Sequence, residues 1–408
     1  MNMVPTDRGL RPTAPPASRW DLFLILCLLT CLGPLNIDLY LPGFPGIAHD
    51  FHAGQTSVQF SLTGALFGLA VGQLMVGPFS DAKGRKGPLM IAMGLFTLSS
   101  LLCAAAPGIG TFIMARFMQG LTAAAGLVLS RAIVRDLFSG VALARFFSRL
   151  MIINAVAPMV APMIGGAILL APSATWRTLF LFLAGVGLVA SALSSVRLHE
   201  TLDPARRGAH STRASLGAFY SLFSDREFAG YALTVGLIHG GSFAYVAGTP
   251  FIYQGLYGVS PQVFSVLFGI NGLAMVAGSW LVGRSSGPAQ TARILRNAVL
   301  TITAASALIT GLGLIRGPLA FLVIAIFLYM ICIGVVLTST FVLAIERQGH
   351  RAGSASALLG ALPLFVGAVA APLVGVSRAS AVPMGLVLFL TCLMGLVCYF
   401  RFVWRETL

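Results

Sequence analysis

Twelve long apolar runs constrain this chain more than any other feature. A helix that crosses a bilayer needs about 20 mostly apolar residues, and it satisfies its own backbone polar groups. The sequence therefore predicts an all-α membrane protein with twelve transmembrane helices. The runs cover residues 21–47, 57–80, 88–107, 109–133, 143–171, 177–197, 226–254, 261–283, 291–313, 317–345, 351–377 and 380–404.

The charge content indicates that most of the surface faces lipid. Only 9% of the residues are charged and the mean hydropathy is +0.90, whereas a soluble domain carries about 25% charged residues. The formal net charge of +14 could suggest a nucleic-acid partner. The charges lie in short clusters between apolar runs, however, which is typical of a membrane protein and argues against nucleic acid.

The runs form two sets of six. We expect an N-terminal six-helix bundle over 20–197 and a C-terminal one over 226–404, joined by a polar cytoplasmic linker over 198–225. The Pro-rich segment 1–19 is predicted to be a disordered cytoplasmic tail, and 405–408 a second, short cytoplasmic tail.

The distribution of basic residues predicts the orientation. With the N-terminus inside, only Arg177, Arg316 and Arg378 of the 26 Lys and Arg residues fall outside, and Arg116 falls within a span. Because Lys and Arg concentrate on the cytoplasmic side of membrane proteins, both termini are predicted to be cytoplasmic.

The loop between the second and third spans has the most specific motif, Gly77-Pro78-Phe79-Ser80-Asp81-Ala82-Lys83-Gly84-Arg85-Lys86. It resembles the G-x-x-x-D-x-x-G-R-[KR] loop of the major facilitator superfamily. We expect Gly77 to let two helices approach closely, Asp81 to end a helix and Gly84 to permit a tight turn. Arg85 and Lys86 would anchor the cytoplasmic side. The resemblance implies two six-helix halves flanking a central cavity.

In that superfamily, the Asp and Arg of this loop help to close a cytoplasmic gate together with an acid at the end of span four. Asp136, in the pair Arg135-Asp136, matches that acid. The resemblance thus implies a gate formed by Asp81, Arg85 and Asp136. The alternative is an ordinary basic loop between two spans.

Two ionisable residues fall inside spans. A charged residue in the membrane costs about 2.5–3.5 kcal/mol on insertion scales, so a functional role for Asp38 is the first expectation. Arg116 lies in a sequence that resembles the R-x-x-Q-G motif of span four. At helical rise, Asp38 and Arg116 lie ~13 Å and ~10 Å from the outer ends of their spans, at similar depth.

We therefore expect Asp38 and Arg116 to share the central cavity and to couple transport to protons, with Arg116 tuning the proton affinity of Asp38. Two other interpretations stay open. Asp38 could cap its span at the outer interface, or the two residues could form a purely structural ion pair.

Span five contains Ala157-Pro158-Met159-Val160-Ala161-Pro162-Met163-Ile164-Gly165-Gly166. This resembles the antiporter motif G-x-x-x-G-P-x-x-G-G, with alanines at the first two glycines and with Pro162, Gly165 and Gly166 retained. Pro158 is a further proline of the same segment. The resemblance implies drug–proton export rather than symport. The alternative is close helix packing in a glycine-rich membrane protein.

The sequence also resembles the bicyclomycin-resistance (Bcr/CflA) subfamily of drug transporters. The matching segments are 37–42, 135–136, 157–166 and 353–357. This implies a multi-pass protein of the bacterial inner membrane that exchanges drugs for protons and works as a monomer.

Further polar and aromatic residues within spans are candidates for the substrate cavity. His239 could pass a proton or be a neutral hydrogen-bonded residue, and the aromatic rings could stack on a drug or serve in packing. The candidates are Asn36, Tyr40, Gln119, Asn154, His239, Phe243, Tyr245 and Asn271.

The sequence thus predicts a proton-coupled multidrug efflux transporter that needs no cofactor and no metal and uses alternating access. Its partners would be a small molecule, protons and the lipid bilayer. A transporter of a small metabolite, such as an amino acid or sugar, is the main alternative. A membrane-embedded enzyme is disfavoured because no HExxH, GxSxG or intramembrane carboxylate pair is found, and a channel because the chain has paired halves.

Overall fold

A computed structural model of the chain describes residues 19–204, 207, 217, 220–346, 348, 352–376 and 380–403. Within these residues the protein is helical and contains no β-strand. The predicted tails lie almost wholly outside the described residues, as does most of the predicted linker beyond residue 204.

In the described part of the chain, twelve long helices follow one another. The first half contains α1 (Arg19–Asp38), α2 (Gln55–Lys83), α3 (Lys86–Ala104), α4 (Ile109–Leu137), α5 (Gly140–Ile168) and α6 (Trp176–Arg197). The second half contains α7 (Arg226–Pro250), α8 (Pro261–Gly283), α9 (Pro288–Leu314), α10 (Leu319–Glu346), α11 (Ala352–Ala370) and α12 (Val382–Cys398).

In the part of the chain that the structure describes, eleven helices are long and apolar enough to cross a membrane. Their outward faces present large apolar side chains: Leu24, Ile91 and Leu188 are each 62% exposed. A soluble monomer rarely exposes such continuous apolar surface, so these faces fit contact with lipid tails.

The long helix that is not among the eleven is α7. It contains His239 and Ser242 together with several glycines, which lower its hydropathy. Every residue from Gly240 to Tyr253 is buried, and the helix packs against α10, α11 and α12. Its polarity therefore faces protein rather than lipid.

The two halves repeat one packing pattern. In the first half α1 packs on α5, α2 on α4, and α3 on both α4 and α6; in the second half α7 packs on α11, α8 on α10, and α9 on both α10 and α12. The halves meet where α5 packs on α8 and α2 packs on α11. Such a repeat is expected of two structurally related halves that flank a common interior.

The first span is not one continuous helix, in contrast to the predicted run 21–47. The α-helix ends at Asp38, a turn of 3₁₀-helix follows at Leu41–Gly43, and a short helix runs over Phe44–Asp50. Pro42 and Pro45 cause the interruption, because proline has no N–H to donate to the helical ladder. The end of α1 is therefore placed inside the bundle.

Glycines allow α2 and α4 to approach closely, although not at the predicted position. A Cβ atom at Gly68 would overlap the carbonyl oxygen of Phe117, and one at Gly72 would lie 2.5 Å from that of Leu121. At Gly77 the nearest atom would be Val128 Cγ1 at 4.0 Å, which is ordinary van der Waals contact. The closest approach thus lies between one and three turns before Gly77.

Within the described residues, four side chains bridge the two halves by donating hydrogen bonds to backbone carbonyl oxygens. All four bridges lie at the helix ends away from the Gly77–Lys86 loop. They are Gln59 Nε2 to Ala247 (3.2 Å), Thr63 Oγ1 to Ala368 (2.9 Å), Gln254 Nε2 to Pro42 (3.3 Å) and Gln262 Nε2 to Gly166 (3.3 Å).

The α2–α4 contact makes a stability prediction. We expect Gly68→Ala to destabilise the protein by about 1–3 kcal/mol, because the added methyl group meets backbone that cannot rotate away. Thermal unfolding in detergent should show a lowered midpoint. Gly94→Ala is the control, since nothing lies within 4 Å of its added Cβ and alanine favours a helix more than glycine does. Equal midpoints for the two variants would contradict the prediction.

Candidate functional site

Arg116 of α4 is fully buried and holds the end of α1. Its Nη1 donates to Asn36 Oδ1 at 2.5 Å and also to Gln119 Oε1, and its Nη2 donates to the backbone oxygen of Asn36 at 2.7 Å. The guanidinium carbon lies 4.1 Å from the centre of the Tyr40 ring, within cation–π range. One side chain thus binds both the side chain and the main chain of Asn36.

The bond to the main chain of Asn36 has a clear physical cause. The last four carbonyl groups of a helix have no partner within that helix, and α1 ends at Asp38, so the oxygen of Asn36 is one of them. A cation there is also favoured by the negative end of the helix dipole. Arg116 therefore caps the end of α1 within the bundle.

Other polar side chains extend this cluster to four helices. Gln119 Nε2 donates to Ser100 Oγ of α3 at 2.7 Å. The hydroxyl groups of Tyr40 and Ser61 of α2 are 3.2 Å apart. Because these bonds are buried, they fix the four helices α1, α2, α3 and α4 relative to one another.

Within the described residues Asp38 forms no ion pair with Arg116, so the structure does not contain the structural ion pair that the sequence left open. Within the described residues no Lys, Arg or His lies within 4.0 Å of the Asp38 carboxylate. Side chains two positions apart on a helix do not face each other, so when Asn36 turns to α4, Asp38 points elsewhere. Similar depth in the membrane did not bring the two charges together.

Asp38 instead lies close to the second half. It is 6% exposed, and the turn Leu41–Gly43 that follows it packs against α7 and α8. Asn271 Nδ2 of α8 donates to the hydroxyl of Tyr245 of α7 at 2.9 Å. The Tyr245 ring stacks on Phe268, with centroids 5.1 Å apart. The end of α1 and the Tyr245–Asn271 pair thus lie on elements that adjoin across the two halves.

Buried polar atoms without a protein partner occur on both halves. Within the described residues, Asn36 Nδ2 is such a donor and Asn271 Oδ1 such an acceptor. Buried polar groups normally have partners, and those that lack one require another, such as water or a ligand. We take these atoms and Asp38 as the candidate binding region.

The remaining cavity candidates, His239, Phe243 and Asn154, make other contacts. The His239 ring is 5.6 Å from that of Phe243, and the Ser242 hydroxyl donates to the backbone oxygen of His239 at 2.6 Å. Phe243 packs against Gly367 of α11. Asn154 is half-buried on α5, and within the described residues no hydrogen bond joins it to the others.

The motif of α5 places two glycines at contacts with different helices. A Cβ atom at Gly165 would overlap the carbonyl oxygen of Leu39, next to Asp38, and one at Gly166 would lie 2.5 Å from Ser265 Oγ of α8. Pro158 and Pro162 lie earlier in the same helix. This pair of glycines is thus where α5 contacts both the end of α1 and the other half.

The loop between α2 and α3 contains a buried cluster around Arg85. Its Nη1 is 2.5 Å from Asp81 Oδ1 and its Nε is 2.8 Å from Asp136 Oδ2 of α4, while Nη1 also donates to Ser80 Oγ at 2.7 Å. The Arg85 side chain is only 3% exposed. The helix passes Asp81 and ends at Lys83, so Asp81 does not terminate it, and Gly84 then turns with φ +94°. Two charge-assisted bonds hold one arginine here.

Glu200, just after α6, is a residue that sequence reasoning treated only as part of the linker. Its carboxylate accepts the backbone N–H of Arg85 at 2.8 Å and that of Lys86 at 3.2 Å. Lys86 Nζ donates to the backbone oxygen of Ser195 at 2.9 Å. The unpaired N–H groups that begin every helix could have signalled the need for an acceptor at the start of α3.

Burial of Glu200 acts to raise its pKa, but the N–H donors and Arg207 outweigh it and hold the pKa below its ordinary value. Such a group stabilises its contacts when ionised, above its unfolded pKa, and loses that contribution as pH falls through the folded value. Glu200 is therefore ionised near neutral pH.

The titratable side chains do not form a metal site in the part of the chain that is described. No group of three or more His, Cys, Asp or Glu residues there could hold a metal ion. The six cysteines are free thiols.

Comparison with known proteins gives consistent matches over most of the chain. The sequence profile of the Major Facilitator Superfamily matches residues 26–372. The MFS-type transporter YdgK of Bacillus subtilis (strain 168), described as uncharacterized, is 58% identical over 382 residues, 94% of this chain and 95% of that protein. A bicyclomycin resistance protein homolog of Haemophilus influenzae is 32% identical over 362 residues, 88% of this chain and 89% of that protein.

Solved structures share the fold at low sequence identity. A bacterial homolog of the human lysosomal transporter Spinster superposes with a TM-score of 0.73 at 13% identity, covering 96% of this chain and 98% of that one. A D-xylose–proton symporter gives a TM-score of 0.73 at 16% identity, covering 94% and 98% of the two chains. These likenesses concern the fold alone.

The buried arginine gives a testable prediction. We expect Arg116→Lys to destabilise the protein although the charge is kept, because a lysine cannot bond both oxygens of Asn36 as the guanidinium fork does. Each buried group left without a partner costs about 1–3 kcal/mol. Thermal unfolding in detergent measures the effect.

Arg197→Lys is the matched control. The Arg197 side chain is 59% exposed and its ion pair with Asp21 lies at the surface, where such pairs contribute about 0–1 kcal/mol. If Arg116→Lys unfolds at the same temperature as Arg197→Lys, Arg116 does not hold α1 in the way described.

Proposed function

This chain belongs to the major facilitator superfamily of membrane transporters, and we propose that it exports drug-like small molecules in exchange for protons. The membrane would be the bacterial cytoplasmic membrane, and the unit of transport a monomer. The single observation that carries this proposal is the environment of Asp38, a buried carboxyl group at the end of α1 that has no ion pair within the described residues and adjoins the second half.

A carboxyl group in this position is suited to coupling. Removal from water favours its neutral form, and a nearby positive charge or hydrogen-bond donor favours its ionised form. Asp38 has no cation within 4.0 Å in the described residues, so its ionisation depends on what the adjoining half or a bound molecule presents to it. A movement of α7 and α8, which hold Tyr245 and Asn271, changes that environment.

The coupling cycle follows from competition between the proton and the exported molecule for the Asp38 carboxylate. When the site faces outward, Asp38 binds a proton and gives up its contact with the exported molecule, which leaves. When the site faces inward, the proton departs and a new molecule binds. Because proton and cargo depend on the same carboxylate, each lowers the affinity for the other, and this coupling is reciprocal.

In this proposal Arg116 has a different role from the one that the sequence predicted, which was to tune the proton affinity of Asp38. It does not exchange a contact with Asp38 but holds Asn36 two residues earlier. By fixing the last turn of α1, it sets the direction in which Asp38 points. The Gly165 contact with Leu39 fixes the next residue from the opposite side.

The direction of transport is supported by the α5 motif. Pro162-x-x-Gly165-Gly166 resembles the sequence that accompanies drug–proton exchange in this superfamily. Gly165 contacts the residue after Asp38, and Gly166 contacts α8. Any movement of α8 against α5 is thus passed directly to the surroundings of the carboxyl group.

The Asp81–Arg85–Asp136 cluster is proposed as the cytoplasmic gate. It joins the α2–α3 loop to the end of α4, and its bonds are charge-assisted and mostly buried. The four bridges between the halves lie at the opposite ends of the helices. Opening these two regions in alternation would expose the site to one side and then to the other, as the halves rock.

We propose twelve membrane crossings with both termini cytoplasmic. Eleven helices have the required apolar length. The crossing by α7 is supported by its length of 25 residues and by its buried position among α10, α11 and α12. A helix surrounded by protein can carry polar residues that a lipid-facing helix cannot.

Drug-like cargo is supported by named relatives. Besides the bicyclomycin resistance protein homolog, multidrug resistance protein D of Escherichia coli (strain K12) is 30% identical over 266 residues, 65% of this chain and 66% of that protein. The similarity to the Bcr/CflA subfamily favours compounds of the bicyclomycin type. Bicyclomycin is therefore the first compound to test.

Replacement of Asp38 tests the coupling. Asp38→Asn should abolish proton release when bicyclomycin is added to the purified protein, and should abolish proton-driven efflux from everted vesicles, because the amide cannot ionise. Asp21→Asn, an acid near the other end of the same helix that pairs with an exposed arginine, should retain both activities. Full efflux by Asp38→Asn would refute the mechanism.

Replacement of Asp81 tests the gate. Asp81→Asn removes one of the two charges that hold Arg85, so we expect the maximal efflux rate to fall several-fold while bicyclomycin binding is retained. The two measurements are vesicle efflux and equilibrium binding to the purified protein. An unchanged rate would count against a gating role, and lost binding would indicate general misfolding instead.

A further inference from the structure

We infer that Glu200 and Thr201, near the start of the linker between the two halves, are positioning residues of the cytoplasmic gate. This inference rests on the proposed gate function of the Arg85 cluster. It extends that function to a segment outside the loop and outside both bundles. The linker would then do more than join the two halves.

Glu200 holds the backbone of the gate loop. One carboxylate accepts the N–H groups of Arg85, Lys86 and Leu202, at 2.8, 3.2 and 2.9 Å. Arg85 and Lys86 form the start of α3, where N–H groups have no partner within the helix. A carboxylate at a helix N-terminus also benefits from the helix dipole. Glu200 therefore fixes the backbone from which the Arg85 side chain extends.

The loop is shaped to admit this carboxylate. Gly84 turns with φ +94°, a conformation that L-residues with a side chain rarely adopt. A Cβ atom at Gly84 would also overlap the Glu200 carboxylate. The glycine of the loop motif thus serves two purposes, the turn itself and the close approach of Glu200.

Thr201 contacts the other side of the gate. Its hydroxyl donates to Asp136 Oδ2 at 3.4 Å, the same oxygen that accepts from Arg85 Nε at 2.8 Å. Arg207, further along the linker, lies 3.9 Å from Glu200 Oε2. Two consecutive linker residues therefore touch both partners of the buried ion pair, one through the backbone of Arg85 and one through the side chain of Asp136.

This arrangement has a mechanical consequence. Glu200 and Thr201 lie just after α6, so the position of the gate loop depends on the end of α6 as well as on α2 and α4.

Hydrogen–deuterium exchange on the full-length protein tests the contact directly. In Glu200→Ala the amides of Arg85 and Lys86 lose their acceptor, and we expect them to exchange on the order of tenfold faster, as for loss of a charge-assisted hydrogen bond. Glu200→Gln keeps one acceptor oxygen and should show a smaller change. Glu346→Ala, at the end of α10, is the matched control and should leave these amides as in the wild type.

Efflux of bicyclomycin from vesicles tests the function. Glu200→Ala should lower the maximal rate about tenfold with unchanged bicyclomycin binding. Combined with Arg85→Ala it should add little further loss, because residues that act as one unit are not additive. A fully additive loss would mean that Glu200 acts independently of the gate and would overturn the inference.

The remaining outcomes separate the two proposals. If Arg85→Ala alone leaves efflux unchanged, the proposed gate fails, whatever Glu200 does. If Arg85→Ala slows efflux but Glu200→Ala does not, or if the Arg85 and Lys86 amides exchange at the wild-type rate in Glu200→Ala, only the inference about the linker fails.

Discussion

The rest of the site depends on the hydrogen bonds that Arg116 donates to Asn36. A helix that ends inside a membrane protein leaves carbonyl groups that lipid cannot satisfy. Arg116 supplies the donors from α4, and Gln119, Tyr40 and Ser100 hold the arginine and its neighbours in place. Because α1 can end there, Asp38 and the residues after it can turn towards the second half. Arg116 therefore positions the proposed coupling residue through Asn36 rather than through an ion pair with Asp38.

Much of the fold could be predicted from the sequence because lipid imposes a strong constraint on composition. Eleven of the twelve predicted spans coincide with apolar helices, and the family resemblance of the Gly77–Lys86 loop is confirmed by the match over residues 26–372. The break after Asp38 was signalled by Pro42 and Pro45, but the run of apolar residues through Ile47 concealed it. Hydropathy averages over a window, so it does not detect a helix that ends within one.

The contacts between distant residues were harder to predict. Spacing along a helix gives the depth of Asp38 and Arg116, but not the direction of their side chains around the helix axis, and direction decides which charges meet. The glycine at 77 fitted a motif, yet the close approach of α2 and α4 occurs at Gly68 and Gly72. The contacts of Glu200 could not be predicted from sequence patterns, for another reason. Its partners are backbone N–H groups, which every sequence contains and no motif marks.

The bridges between the two halves share a chemical property that bears on how such a protein evolves. Each of the four donors is an uncharged side chain, and each acceptor is a main-chain carbonyl group. Main-chain acceptors survive mutation of the residue that supplies them, so a substitution at Ala247 or Ala368 that keeps the backbone in place also keeps the bridge. Only one side of each contact is under selection for its chemistry. The cargo-facing surfaces of the two halves can therefore diversify separately, while the halves continue to fit each other.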